Sequence, residues 1–164
     1  MPIAVNVLGR NRTQQGFGPF PQADYPDHGS TGRMANIIWL GTTTNATPTE
    51  FFVNGVNNNR FLVDSTTNCT GILTWQSTAN NATTIANSHV NFGAAGVTSA
   101  AGTIALLANS TNTKMPTAGT PSIALTADNT NKALVFTGTG TASETCYWEV
   151  RGIWNCMTNL GWAS

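Results

Sequence analysis

The tract from Cys146 to Cys156, CYWEVRGIWNC, constrains the fold more than any other stretch, because its residues sort into two sets with a period of two. Cys146, Trp148, Val150, Gly152, Trp154 and Cys156 form one set; Tyr147, Glu149, Arg151, Ile153 and Asn155 form the other. A strand sends successive side chains to opposite faces, whereas a helix would scatter both sets around its axis. The first set carries no charge and two indoles, so it is expected to face a core, where each indole N–H needs an acceptor. Gly152 interrupts that row and predicts either a bulge or a close approach to the backbone. A strand buried on one side needs a second layer of structure to cover it.

The rest of the chain supplies candidates. From Met34 onward, short apolar runs alternate with turn residues: ANIIWLG, TEFFVNG, NNRFLVD, TGILTWQST, HVNFGAAG, TIALLANS, SIALTAD and KALVFTG precede the final tract. Short strands at regular spacing are the signature of a sandwich or barrel. Asn54-Gly55 predicts a hairpin between TEFFV and NNRFLV, because both residues tolerate the positive φ of a tight two-residue turn. ADNTNK and TGTGTAS read as further turns, and no segment shows helical periodicity. The expected fold is all-β: an antiparallel, jelly-roll-like β-sandwich over residues 34–164.

Residues 1–33 are different. They hold four of the seven prolines, and GFGPFPQADYPDHGSTG has no sustained period. Such a segment is either a loose terminus or an extended N-terminal arm whose aromatics dock into a neighbouring subunit. Phe17, Phe20 and Tyr25 are many aromatics for a free tail, and they are the candidate interface residues.

Composition narrows the function. Charged residues are only 9% of the chain and the formal net charge is zero, so there is no basic stripe to recognise nucleic acid. A weakly charged surface favours association. No run approaches the length of a membrane-spanning helix, and the start, MPIAVNVLGRNR, lacks the pattern of a secretion signal. Five Asn-x-Ser/Thr triplets, at Asn11, Asn45, Asn68, Asn81 and Asn109, are what a chain this rich in Asn and Thr produces by chance. The three cysteines, Cys69, Cys146 and Cys156, do not suit a disulfide framework. If Cys146 and Cys156 share one strand they lie about 33 Å apart. Neither their spacing nor any acidic loop suggests zinc or calcium, and no cofactor is expected.

Catalytic candidates are few. DHGS brings Asp27, His28 and Ser30 together in sequence, but adjacent residues on a Pro/Gly-rich segment rarely converge as a triad does. Asp128 and Glu144 flank the hairpin that leads into the final tract and could approach each other, so they are the pair to consider for glycoside hydrolysis. Read alone, Asp128 is a turn residue and Glu144 a loop charge, and the chain is expected not to be an enzyme.

Two stretches carry a resemblance. GTTTNATPTEFFVNG, Gly41 to Gly55, is similar to a run of the form TT-D-AT-P-T-E-L-F-L-D-G. LTADNTNKALVFTGTGTASETCYWEVRGI is similar to a pattern of Thr-Ala-Asp-x-Thr-Asn, a short apolar strand, a Thr-Gly turn and a Trp-containing final strand. Both belong to a β-domain found at the C-terminal end of many tailed-bacteriophage virion proteins, of tail-fibre and head-decoration type. The resemblance covers residues 34 to about 158. Residues 1–33 fall outside it, and TWQSTANNATTIAN replaces the Arg-rich run that often follows the family's central strand.

The resemblance implies a non-enzymatic virion structural protein on the outer surface of a phage particle, made in the host cytoplasm, with no catalytic residues. Within that class the leading expectation is a capsid decoration (cement) protein: a homotrimer seated over junctions of the major capsid protein. One small domain with an arm, and no repeat or heptad shaft, favours it over a fibre. The alternative is a tail-fibre or baseplate tip that recognises a host surface glycan or protein.

Overall fold

The computed structural model describes residues 23–25, 30–63, 68–100, 102–107, 111–115 and 121–159, and side chains within 34–63, 68–100, 102–107 and 121–156. Eleven strands follow in order: β1 (Ala23–Tyr25), β2 (Ser30–Thr43), β3 (Thr49–Val53), β4 (Phe61–Leu62), β5 (Cys69–Asn81), β6 (His89–Ala100), β7 (Thr103–Leu106), β8 (Thr111–Met115), β9 (Ser122–Asp128), β10 (Ala133–Thr139) and β11 (Cys146–Asn159). Among the described residues the only helical turn is a 3-10 turn at Ile85–Asn87. The fold is all-β, and its strand pairings are antiparallel.

The alternating final tract is the middle of the larger layer. β11 pairs with β2 along one side, from Cys146↔Thr43 to Asn159↔Ser30, and with β5 along the other, from Cys146↔Asn81 to Thr158↔Cys69. β6 continues the layer beyond β5, and β7 and β8 share the far edge of β6. β1 pairs with the first residues of β2, so Ser30–Arg33 belong to a sheet strand and Tyr25 faces Ser30 in the register.

The smaller layer is built on β10. β9 runs along one edge, while β3 and β4 follow each other along the other edge. β3 also pairs with β2 at Trp39↔Val53 and Leu40↔Phe52, which makes it the corner where one layer turns into the other. The curled sheet therefore folds over its own inner face as a sandwich.

Alternation decides what fills the space between. Trp148, Val150, Trp154, Cys146 and Cys156 of β11 are all buried, as the period of two requires. Five aromatics from the two layers interlock: Trp39 meets Phe136 edge-on at 4.8 Å and Phe61 at 6.1 Å, and Phe61 also meets Trp154. Trp75 contacts Phe136 at 5.2 Å. Such edge-to-face contacts add about 0.5–1.5 kcal/mol each beyond burial. Trp148 satisfies its indole N–H with the Thr43 hydroxyl at 2.9 Å. Phe51 lies across two glycines: a Cβ on Gly41 would stand 2.0 Å from its ring and one on Gly138 2.1 Å.

Gly152 makes no bulge, since both registers run through it unbroken. It provides close approach instead. A Cβ there would sit 2.8 Å from the Trp39 ring and 3.1 Å from Leu73.

The hairpin expected at Asn54-Gly55 does not form. The turn is present, with φ of 58° and 70° at the two residues, but β3 and β4 do not pair with each other. Both take the same edge of β10. The chain leaves that edge after Val53 and is pinched at the base by the Val53 N–H to Asn59 C=O bond, 2.7 Å. It then returns so that Phe61 reaches Trp39 and Trp154. The turn that Asn54 and Gly55 favour is made, and the packing of Phe61 in the aromatic core decides which strand β4 pairs with. NNRFLVD accordingly contributes only a two-residue strand, and β1 and β8 appear where no apolar run announced them.

The three cysteines are buried, and none is in a disulfide. Cys146 and Cys156 point inward from the same strand, as their spacing suggested.

Candidate functional site

Phe17 and Phe20 lie outside the described residues, as do Asp27 and His28. Tyr25 is the last residue of β1. Of the histidines, His89 is buried, with Nδ1 2.6 Å from the Asn87 carbonyl oxygen. Among the described residues no cluster of three or more His, Cys, Asp or Glu forms.

The two acids considered for hydrolysis do not come together. They lie beyond opposite ends of β10, whose seven residues span about 23 Å, while a hydrolytic carboxylate pair stands roughly 5–10 Å apart. Asp128 closes the β9–β10 turn: its Oδ1 accepts the N–H of Thr130 at 2.9 Å and of Asn131 at 3.0 Å, and its Oδ2 accepts Asn131 Nδ2 at 2.6 Å. The Asn131 side chain, followed by these backbone donors, holds its carboxyl below the ordinary range. Glu144 braces two loops. Its Oε2 accepts Asn87 Nδ2 at 2.9 Å and Asn81 Nδ2 at 2.5 Å, and its Oε1 accepts the Thr84 hydroxyl at 2.7 Å. Donation from Asn87, then Thr84 and Asn81, lowers its pKa as well. Both acids are stabilised as carboxylates, the opposite of what a general acid requires. Glu50 is held by Arg60 in a two-point ion pair of 2.6 and 2.9 Å.

The candidate site lies instead on the outer face of the larger layer. β2, β11, β5 and β6 are consecutive neighbours there, and their register lines up two cross-strand rows. One row is Ile38, Arg151, Gln76 and Phe92; the next is Asn36, Ile153, Thr74 and Ala94. Around them the face forms an open groove of about 470 Å³. Ile153 is 46% exposed and Phe92 40%, so the apolar walls are available to a ligand. Asn36, Thr74 and Gln76 each present both a donor and an acceptor. Arg151 is the one charged residue lining the groove, and its Nε donates to Glu149 Oε1 at 2.6 Å. The local charge is thus neutralised from within the chain.

The sequence marked Arg151 and Glu149 as outward-facing but missed Asn36, Gln76 and Phe92. They come from three different strands, and only the β2–β11–β5–β6 register makes them neighbours. Their alternation with buried Ile37, Trp75 and Asn91 was the one signal available.

No family model matches the chain, and no curated protein does. Among solved structures, the tailspike protein of Acinetobacter phage vB_ApiP_P1 aligns with 82% of this chain and 23% of its own, at 16% identity and a TM-score of 0.34. The tailspike of Acinetobacter baumannii phage AM24 aligns with 79% of this chain and 26% of its own, at 12% identity and a TM-score of 0.35. The chain therefore spans about a quarter of the length of these two proteins.

Proposed function

We propose that this protein is a non-enzymatic structural module on the outer surface of a tailed-phage particle, most concretely a capsid decoration protein that binds over capsomer junctions. The observation that carries the structural half of this reading is the bracing of the sandwich. Asp128 and Glu144, the acids that could have served chemistry, hold turns and loops, and Glu50 is paired with Arg60. The virion half rests on the two motif stretches. Gly41–Gly55 forms the end of β2, the corner strand β3 and its turn, and the second stretch forms β9, β10 and β11. The resemblance thus falls on the strands that join the two layers.

In this reading the N-terminal aromatics, Phe17, Phe20 and Tyr25, anchor the module to the major capsid protein, and three copies gather at a local three-fold. Binding only the assembled lattice stabilises it by mass action. The test is a truncation placed before Ala23, so that β1 and β2 keep their pairing. The shortened protein is expected to fold normally and to lose attachment to empty heads in co-sedimentation. Full attachment without residues 1–22 would overturn the role of Phe17 and Phe20 as the anchor. Electron microscopy of labelled particles tests placement: many copies over the head support decoration, and a few at the tail tip overturn it.

A second reading, a tail-fibre or baseplate tip that contacts the host surface, is favoured by the outer groove at Arg151, Gln76 and Phe92.

A further inference from the structure

We infer that the outer groove of the larger layer is a binding site for a neutral saccharide. The inference rests on the groove alone and holds for a module on the head or on the tail.

Four properties of the lining select the ligand class. The volume, about 470 Å³, lies within the range of small-molecule clefts. Four adjacent strands give the rows a length of about 14 Å, which suits a short oligosaccharide lying across them. Apolar and polar side chains are interspersed in the lining: Ile38, Ile153 and Phe92 lie among Asn36, Thr74, Gln76 and Arg151. A pyranose ring has the same dual character, with C–H faces for the apolar groups and hydroxyls for the amides. Asn36, Gln76 and Thr74 can each donate and accept, as a hydroxyl does.

The same properties disfavour other ligands. A phosphate or carboxylate ligand would be met by unpaired cations arranged as a fork, whereas Arg151 already donates to Glu149 at 2.6 Å. A purely apolar ligand would strip water from two amides and a hydroxyl without replacing their hydrogen bonds, at a cost. An extended peptide binding by strand addition requires a free sheet edge, and the groove lies on the face of strands paired along both edges, β11 with β2 and β5, and β5 with β6 as well.

The test uses the full chain on an array of neutral and acidic bacterial surface oligosaccharides, followed by titration of a retained glycan under amide-resolved NMR. At least one uncharged glycan is expected to bind saturably and to shift the amides of Asn36, Thr74, Gln76 and Ile153. Gln76→Ala and Phe92→Ala are each expected to weaken binding at least tenfold. Tyr147→Ala, on the same face but outside the groove, leaves affinity unchanged. Melting curves of each variant separate lost binding from lost fold, and exposed Gln76 is the variant that keeps its fold. Retention of acidic glycans only, affinity unchanged in Gln76→Ala, or no retained glycan would each overturn the proposal. So would burial of the groove amides by self-association of the chain. None of these results depends on where the protein sits in the particle.

Discussion

The side-chain amide of Asn129 pairs with the main chain of Ile104 as a neighbouring strand would. Its Oδ1 accepts the Ile104 N–H at 2.6 Å and its Nδ2 donates to the Ile104 carbonyl at 3.0 Å. The Lys132 ammonium donates to the Gly102 carbonyl beside it. These bonds tie β7 of the larger layer to the β9–β10 turn of the smaller one, on the side of the sandwich opposite the corner strand β3. Asn129→Ala leaves both main-chain groups of buried Ile104 without that partner, and is expected to cost about 1–3 kcal/mol. Urea denaturation measures the loss, and hydrogen exchange at the Ile104 amide should accelerate with it. Unchanged exchange would mean that this bond does not close the sandwich.

Gly152 is expected to resist any side chain because Trp39 and Leu73 occupy the space above it. Gly152→Ala should destabilise by about 1–3 kcal/mol, the usual range for overpacking a filled core. Trimming the indole, as Trp39→Leu, should make the added methyl less harmful than it is alone. A double-mutant cycle reads this as a favourable coupling energy; strict additivity would show that the two residues do not compete for the same space.

The Glu144 brace predicts a pH dependence of definite sign. Its carboxyl is held below the ordinary glutamate value by Asn87, Thr84 and Asn81, so the folded state prefers it ionised. The stabilisation is complete above the unfolded value of about 4.3 and is lost as pH falls through the lower folded value. Asp128 has the same sign. Glu144→Gln should lower the melting temperature at pH 7 and partly flatten its decline below pH of about 4, with Asp128 supplying what remains. An acid limb as steep in the variant as in wild type would contradict this account.

The buried thiols give a chemical readout of the fold. All three cysteines should be inert to an aromatic disulfide reagent in native buffer and react fully in denaturant. Reductant should leave the melting temperature unchanged. Rapid native labelling of Cys146 or Cys156 would place the Trp148–Trp154 face outside the core.

Much of the fold was legible where one strand reports on itself. The alternation through Trp148, Val150 and Trp154 identified the core face of β11 because burial there follows a strict period of two. What the sequence concealed was pairing between distant segments. Asn54-Gly55 forms the turn its residues favour, yet β3 and β4 pair with β10, because the edge of β10 and the place of Phe61 against Trp39 are properties of the whole sheet. The groove was hidden for the same reason. Asn36, Gln76 and Phe92 are unremarkable polar and aromatic residues until the register sets them side by side. Asp128 and Glu144 looked like a possible pair because sequence separation hid the length of β10 between them.

The position of β11 has a consequence for how the molecule is made. It lies between β2 and β5, yet it follows both in the chain, separated from β5 by five other strands. As the polypeptide leaves the ribosome, β2 and β5 emerge without the strand that joins them, and Trp39, Leu73 and Trp75 lack the inner face of their neighbour. The larger layer therefore closes only after β11 has been synthesised, through contacts distant in sequence that form slowly. Until then its unfinished edges are exposed to other nascent chains, and the weakly charged surface of this protein offers little repulsion to keep them apart.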